Sequence, residues 1–163
     1  MNMPFRTGFG YDVHKFSADR KLILGGNEVP SEFGLVGHSD ADALLHAICD
    51  ALLGALALGD IGKHFPDTDD KYKNIDSKIL LEETYKLVKE KGYTLGNIDS
   101  TIVLEKPKLS PYINLMRETI AELLDVSLGQ VSIKATTSEK MGFAGRMEGI
   151  QVFATVLIIN KEN

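Results

Sequence analysis

One segment constrains this chain more than any other. Residues 38–60 read HSDADALLHAICDALLGALALGD, and a short upstream echo reads Asp12-Val13-His14. Together they hold three of the four histidines and five aspartates, set beside apolar residues. Leu45, Ile48, Leu52 and Leu56 recur at the steps of a helix with one apolar face. Asp42, His46 and Asp50 recur every four residues and form a polar stripe along its border. Imidazoles and carboxylates placed against a core are what a catalytic metal site needs, and solubility alone does not explain them.

Asp12 and His14 lie two apart on an expected strand, so they share a face. A lone Asp-x-His is a weak signal, and each member of the helical stripe alone is best read as a polar border. The combination is stronger. Two histidines and one carboxylate suit catalytic zinc, which keeps a fourth position open. Asp12, His14 and His46 would meet if the helix packs over that strand face; spacing alone leaves His38 and His46 both open as the helix-side ligand. Asp50, one turn beyond His46, is either an acceptor that orients its ring or an exposed carboxylate. Asp42 favours the helix N-terminus electrostatically.

His38 and Ser39 stand at the helix start, where free N–H groups attract anions. Thr136-Thr137-Ser138-Glu139-Lys140 leaves an expected strand into a glycine-containing loop, another place for phosphate oxygens. Glu139 is an odd neighbour for an anion unless a cation such as Mg²⁺ lies between them. Lys140 and Arg146 add positive charge or are simply solvated. Asp60-Ile61-Gly62 and Phe65-Pro66-Asp67-Thr68-Asp69 suit a flap whose carboxylates accept from substrate hydroxyls; the plainer reading is a solvated acidic loop. His64 has no evident partner and reads as surface. Cys49, near the apolar face, reads as a packing residue rather than a nucleophile.

The chain has 163 residues, enough for one domain with a sizeable core. A net charge of −5 and the lack of a basic block argue against a nucleic-acid binder. The single cysteine excludes an internal disulfide and fits a reducing cytoplasm. MNMPFRTGFG has no apolar core of signal-peptide length, and the late apolar run Ile150–Ile159 is too short to span a bilayer, so no membrane association is expected.

The pattern predicts a strand over Phe5–Phe16, with Gly8 and Gly10 permitting close backbone approach. Lys21–Leu24 reads as its hairpin partner or extension, followed by a turn at Gly25-Gly26-Asn27 and a loop over 28–37. Ser39 is the expected N-cap of a helix running to about Leu58. Gly59–Asn74 reads as a long loop. A second helix is expected over Ser77–Lys91, ended by Gly92, and a strand over Ile98–Leu104. Ser110-Pro111 looks like an N-cap and N1 proline for a third helix carrying Ile113, Met116, Ile120, Leu123 and Leu124. Strands Val131–Thr136 and Gly149–Ile159 close the chain around the loop TSEKMGFAGRMEG. The order implies an α+β fold of two layers, a mixed sheet covered on one side by helices, in a single domain over 1–163.

GYDVH, GHSDADALLHAICDALLGAL, LGDIGKHFPDTD, KPKLSPY and KATTSEKMGFAGRMEGI together resemble the 2-C-methyl-D-erythritol 2,4-cyclodiphosphate synthase family, in its order and spacing from Gly8 to about Ile159. The most visible departure is Ala41, where the family commonly has glycine; alanine suits a helix start. The resemblance implies Asp12, His14 and His46 as zinc ligands and His38 and Thr137 as transition-state stabilisers. Glu139 would hold a second divalent ion, Mg²⁺ or Mn²⁺, between the substrate phosphates. Asp60–Gly62 and Phe65–Asp69 would contact the erythritol part, and Asp12-Val13-His14, His38 and Ser39 would bind substrate as well. Leu104, Glu105, Lys106, Pro107, Lys108, Leu109 and Ser110, with Thr136, Thr137, Ser138 and Glu139, would surround the cytidine diphosphate; Phe143 and Arg146 belong to the same substrate-binding set. It further implies a homotrimer with sites between subunits and a CMP-releasing, cyclising phosphorus–oxygen lyase of non-mevalonate isoprenoid biosynthesis. A zinc phosphohydrolase and a trimeric binding module with a structural metal are the competing readings. The second requires a closed four-ligand site, and the sequence offers no convincing fourth ligand.

Overall fold

The computed structural model describes residues 4–161; residues 1–3 and 162–163 of the expected domain lie outside that range. The long first strand, β1 (Phe5–Ser17), alternates as its sequence does. Phe9, Tyr11 and Val13 point to one side and are exposed, Phe9 by 62%. Gly10, Asp12 and His14 point to the other. Their cross-strand partners there are Ala154, Val152 and Ile150, all buried.

After β1 come three short strands, β2 (Leu22–Leu24), β3 (Asn27–Val29) and β4 (Gly34–Leu35). Then follow helices α1 (Ala43–Ala55), α2 (Ile61–His64) and α3 (Ser77–Glu90), strand β5 (Tyr93–Val103), helix α4 (Ile113–Leu124), strand β6 (Val131–Thr136), the one-turn helix α5 (Gly142–Gly145) and strand β7 (Gly149–Asn160). The main sheet has the order β4-β1-β7-β5-β6. Only β5 and β6 run parallel, joined by the α4 crossover; the other neighbours are antiparallel. The mixed α+β architecture is therefore as expected. α1 lies across β1 and β7, and α3 packs beside it toward α4. The core is the layer between these helices and the sheet, centred on Leu44, Leu45, Ile48, Leu52, Ile102, Ile120 and Val152.

Several boundaries differ from the sequence expectation. β2 pairs with β3 rather than with β1, and it is β4, inside the expected loop over 28–37, that pairs with β1. Gly59–Asn74 is not wholly loop: it holds α2 and a 3₁₀ turn, Asp70–Tyr72. β5 starts at Tyr93 directly after Gly92 and is irregular between Leu95 and Asn97, which masks its first half. α4 starts at Ile113 after Tyr112, with no side-chain cap, so Ser110-Pro111 does not begin it.

The most consequential difference is at α1. Its N-cap is Asp42, not Ser39. The Asp42 carboxylate is fully buried and accepts from the N–H groups of Leu45, Gly25 and Gly26 at 3.0, 3.0 and 2.6 Å. It thus ties the turn between β2 and β3 to the start of the helix that carries His46. Burial pushes its pKa up to about 6, against the stabilising backbone donors.

Candidate metal centre

β1 brings Asp12 and His14 to the helix side of the sheet, and α1 brings His46 down onto them. Gly8 and Gly10 make this possible: a Cβ on Gly10 would lie 1.8 Å from the Ala47 carbonyl oxygen, and one on Gly8 equally close to that of Ala51. The expected close approach is that of α1 itself.

Three atoms converge. His14 Nε2 lies 2.9 Å from Asp12 Oδ2, His46 Nδ1 lies 3.1 Å from the same oxygen, and the two nitrogens are 3.3 Å apart. A tetrahedral zinc with bonds of about 2.0–2.1 Å has ligand–ligand edges of about 3.3 Å. The triangle therefore matches one face of such a tetrahedron. Among the described residues no fourth His, Cys, Asp or Glu atom joins it. That leaves one position open.

The ring orientations fit the same use. His14 Nδ1 lies 2.6 Å from the Val36 carbonyl oxygen, to which it donates, so Nε2 is left for the cluster. Behind His46, Nε2 faces Ser77 Oγ at 2.8 Å and Ser39 Oγ at 3.2 Å. Burial works against the charge on Asp12, but hydrogen bonds and charge from His14 and His46 outweigh it and hold the carboxyl at about 2. Burial likewise disfavours a charged His14; Asp12, the Val36 carbonyl and Asp42 outweigh it and raise its pKa.

A depression of about 300 Å³ opens over the cluster. His38 and Ser39 line it, as do Ile61, Gly62, Phe65 and Asp67 from the expected flap. Tyr72, Ile75 and Leu80 complete its apolar wall; the sequence reading missed them because their spacing speaks only of core. Asp60 caps α2 by accepting from Lys63 N–H, and Asp69 caps the 3₁₀ turn by accepting from Lys71 N–H. Thr68 is exposed beside them.

Asp50 does not orient His46; Ser77 stands in that place. Instead Asp50 Oδ1 accepts from Ile61 N–H at 2.7 Å and so anchors the flap helix to α1. A bond to a half-buried carboxylate contributes about 1.5 kcal/mol. Asp50→Ala should therefore make opening of α2 roughly tenfold more frequent. Hydrogen exchange at Ile61–His64 reads this, and Asp50→Asn, which keeps an acceptor, should exchange like the parent. Unchanged exchange in the alanine variant would remove the anchor. His64 also has a partner after all: its Nε2 lies 3.0 Å from the Leu58 carbonyl oxygen, and the residue is half-buried. Cys49 is buried, and burial above all pushes its thiol up to about 12, so it is no nucleophile.

The expected nucleotide residues gather elsewhere. Leu104, Glu105, Pro107, Lys108, Leu109 and Ser110 line a second depression of about 420 Å³ together with Thr136 and Thr137. Ile113 and Ala135 join them unannounced by any motif. Lys106 lies between lining residues but is not one of them. Glu105 holds the adjoining loop: it accepts from Ser138 N–H, Ser138 Oγ–H and Lys140 N–H at 3.0, 3.2 and 3.2 Å. Glu139 and Lys140 both have left-handed backbones there, with φ of 54° and 63°. Thr137 Oγ donates to Glu139 Oε1 at 2.8 Å. Arg146 is exposed and pairs with Glu148, whereas Phe143 faces a third depression shared with Val13 and His14.

These first two depressions share no lining residue. β1 and β6 are three strand spacings apart in the sheet, about 14 Å. Within one chain, no residue of the Thr136–Glu139 loop joins the lining around the Asp-His-His cluster.

An open Asp-His-His triangle under a flap, on a helix-covered mixed sheet, defines a candidate divalent-metal centre. Residues 5–159 match the YgbB family. The chain is 61% identical over 156 residues to the 2-C-methyl-D-erythritol 2,4-cyclodiphosphate synthase of Parabacteroides distasonis, covering 96% of this chain and 97% of the relative. Its fold superposes on the bifunctional IspDF of Campylobacter jejuni with a TM-score of 0.92 at 44% identity, covering 96% of this chain and 42% of that one. On IspF of Plasmodium falciparum, solved as a CDP complex, the TM-score is 0.87 at 34% identity, covering 99% of each chain. The chain belongs to the 2-C-methyl-D-erythritol 2,4-cyclodiphosphate synthase family.

Proposed function

We propose that this chain converts 4-diphosphocytidyl-2-C-methyl-D-erythritol 2-phosphate to 2-C-methyl-D-erythritol 2,4-cyclodiphosphate and CMP, in the non-mevalonate route to isoprenoids. The observation that carries the reading is the open triangle of Asp12, His14 and His46 beneath His38 and the flap, in a chain whose relatives are named for this reaction.

An oxygen of the 2-phosphate forms a bond to the β-phosphorus. The bond from that phosphorus to the oxygen bridging to the α-phosphorus breaks, and CMP leaves with the electron pair. Two anions must meet, so the barrier is charge repulsion and ordering. Asp12, His14 and His46 would hold zinc, which when bound supplies Lewis-acid polarisation of a phosphate oxygen. Glu139 would hold a second divalent ion, Mg²⁺ or Mn²⁺, which would supply positive charge against the substrate phosphates. His38, exposed at the rim of the depression, would donate to oxygens that gain charge, and so would the Thr137 hydroxyl once its proton turns from Glu139 to substrate. Asp60–Gly62 and Phe65–Asp69 hold the erythritol part, and Leu104–Ser110 with Thr136–Glu139 hold the cytidine diphosphate, with Phe143 and Arg146 in the same set. Folding the substrate back between these walls supplies proximity. An acidic chain thereby binds an acidic substrate through metal charge.

The working unit is a homotrimer with each site between two subunits. Its support is the separation of the two depressions within one chain, together with the bare outer face of the sheet, where Phe9, Tyr11 and Phe153 cluster at ring distances of 6.4 and 5.2 Å. Apolar patches of this kind mark association surfaces. The single domain over 1–163 works in the cytoplasm, in keeping with a buried free thiol. No helix among the described residues is long and apolar enough to cross a membrane.

Incubation of the purified protein with the cytidylated substrate, Zn²⁺ and Mg²⁺ should give CMP and the cyclic diphosphate in equal amounts. A linear product would make the protein a phosphohydrolase, and no CMP release would end both enzyme readings in favour of a binding module.

A further inference from the structure

We infer that Asp40, acting through the Ser77 hydroxyl, is a positioning residue that fixes the protonation pattern of the His46 ring so that Nδ1 is free for metal. The inference rests on the metal reading of Asp12, His14 and His46. Neither Asp40 nor Ser77 follows from the motif spacing, because the pair is 37 residues apart.

The geometry is closed at each step. Ser77, the first residue of α3, is fully buried. Its backbone N–H donates to Asp40 Oδ2 at 3.0 Å, and its hydroxyl donates to Asp40 Oδ1 at 2.5 Å. A carboxylate only accepts and a serine hydroxyl has one proton. With that proton given to Asp40, Ser77 Oγ offers only lone pairs to His46 Nε2, 2.8 Å away. Nε2 must then carry hydrogen, because a bare nitrogen would set lone pair against lone pair. Nδ1, facing Asp12 and His14, is then the nitrogen at which a cation takes the place of any proton shared with Asp12.

Asp40 is itself held in place. Its N–H donates to the Ile75 carbonyl at 3.1 Å, and the neighbouring His38 carbonyl accepts from Asn74 N–H at 2.8 Å. The 38–40 segment and the start of α3 are laced together, and the carboxylate itself is held by the N–H groups of Ser77 and Asp42 at 3.0 and 3.2 Å. Ser39 Oγ, at 3.2 Å from Nε2, is the weaker neighbour: its oxygen already accepts from Ala41 N–H, and its proton is committed to no fixed acceptor.

Asp40→Asn is the discriminating variant. An amide has one acceptor oxygen, while Ser77 presents two donors. The relaxed arrangement puts the amide oxygen on Ser77 N–H and the NH₂ on Ser77 Oγ. Ser77 then turns its proton toward His46 Nε2 and drives the ring hydrogen onto Nδ1, where it blocks the metal. A purely structural role would not reverse the ring.

The test combines ring ¹⁵N spectra of the metal-free protein at pH 8 with zinc affinity from chelator competition. The parent should show His46 Nε2 protonated. Asp40→Asn should shift the ring toward bare Nε2 and weaken zinc binding about 10–100-fold. Ser77→Ala should weaken it as well, and Ser77→Thr, which keeps the hydroxyl, should restore it. Bare Nε2 in the parent overturns the inference, and so do Asp40→Asn and Ser77→Ala proteins that bind zinc like the parent. Should the parent bind no zinc, the metal reading fails by itself, and the state of Nε2 still decides whether Asp40 sets the ring.

Discussion

His46→Ala is expected to lose zinc and CMP release while keeping the fold. Disturbing a hydrogen-bond partner of a metal ligand costs about 10–100-fold in affinity, so deleting one of three ligands should cost more than that range. The scaffold tolerates the change because alanine is the best helix former and the ring packs in a polar cluster with Asp12 and Ser77. Metal analysis of the purified variant, its thermal unfolding and CMP release are the three readouts. A variant that keeps a full complement of zinc, or works at the parental rate in metal-free buffer, contradicts the site.

The same cluster sets the direction of the pH response. Asp12 is held at about 2 and stays ionised through the working range, so it adds no pH dependence above about 4. His14 is raised above its ordinary 6.5 by Asp12 and its other partners, despite burial. Zinc needs His14 Nε2 bare, so protons compete increasingly as pH falls through this raised value. In the metal-free protein the sign is opposite: the charged His14–Asp12 contact stabilises below the unfolded pKa of His14, and that contribution fades as pH rises through the folded one. Zinc affinity should thus fall on acidification beginning above pH 6.5. Flat affinity from pH 8 to 6 would exclude His14 as a ligand.

What the sequence revealed follows from how local each determinant is. The period-two alternation of β1 and the 3.6-residue pattern of α1 are short-range; β1 matches its expected span and α1 lies inside its own, over Ala43–Ala55. Spacing alone leaves His38 and His46 both open beside Asp12 and His14; the family resemblance implies His46, and the seating of α1 on β1 brings that residue to them. Caps were misread where tertiary partners decide them. Ser39 has the right chemistry for an N-cap, but Asp42 finds three backbone donors, two of them from a turn 16 and 17 residues away. Ala41 shows the same limit. Alanine was expected to suit a helix start, yet Ala41 precedes the helix, with a left-handed φ of 59°. There a Cβ costs about 1–2 kcal/mol, which is the physical reason a glycine fits better. The roles of Asp50 and Ser77 depend on which loop folds over which helix face, and no periodicity encodes that.

Gly10→Ala tests the scaffold that makes the site, through a single methyl group. The added Cβ would meet the Ala47 carbonyl oxygen at 1.8 Å and the Ala51 nitrogen at 2.8 Å. Both are backbone atoms of α1, so no side chain can rotate out of the way. Reaching even 3.0 Å requires helix and strand to part by about 1.2 Å. α1 is clamped by ten buried residues, and overpacking a core costs about 1–3 kcal/mol. The upper end applies here, because a whole helix must lift rather than one side chain. For a chain of this size that corresponds to a fall in Tm of roughly 10 °C. The effect on the site should be larger than the effect on stability. His46 is the neighbour of Ala47 and moves with the helix, while Asp12 and His14 stay with β1. A triangle whose edges are 2.9 to 3.3 Å cannot absorb such a shift and still present one tetrahedral face. Gly54→Ala is the matched control. It lies on the same helix, but its Cβ would meet nothing nearer than the Phe9 carbonyl oxygen at 3.7 Å. That substitution should leave zinc affinity unchanged and raise stability by up to about 1 kcal/mol through helix propensity. If Gly10→Ala melted and bound zinc like Gly54→Ala, the close seating of α1 on β1 would not be what assembles the metal centre.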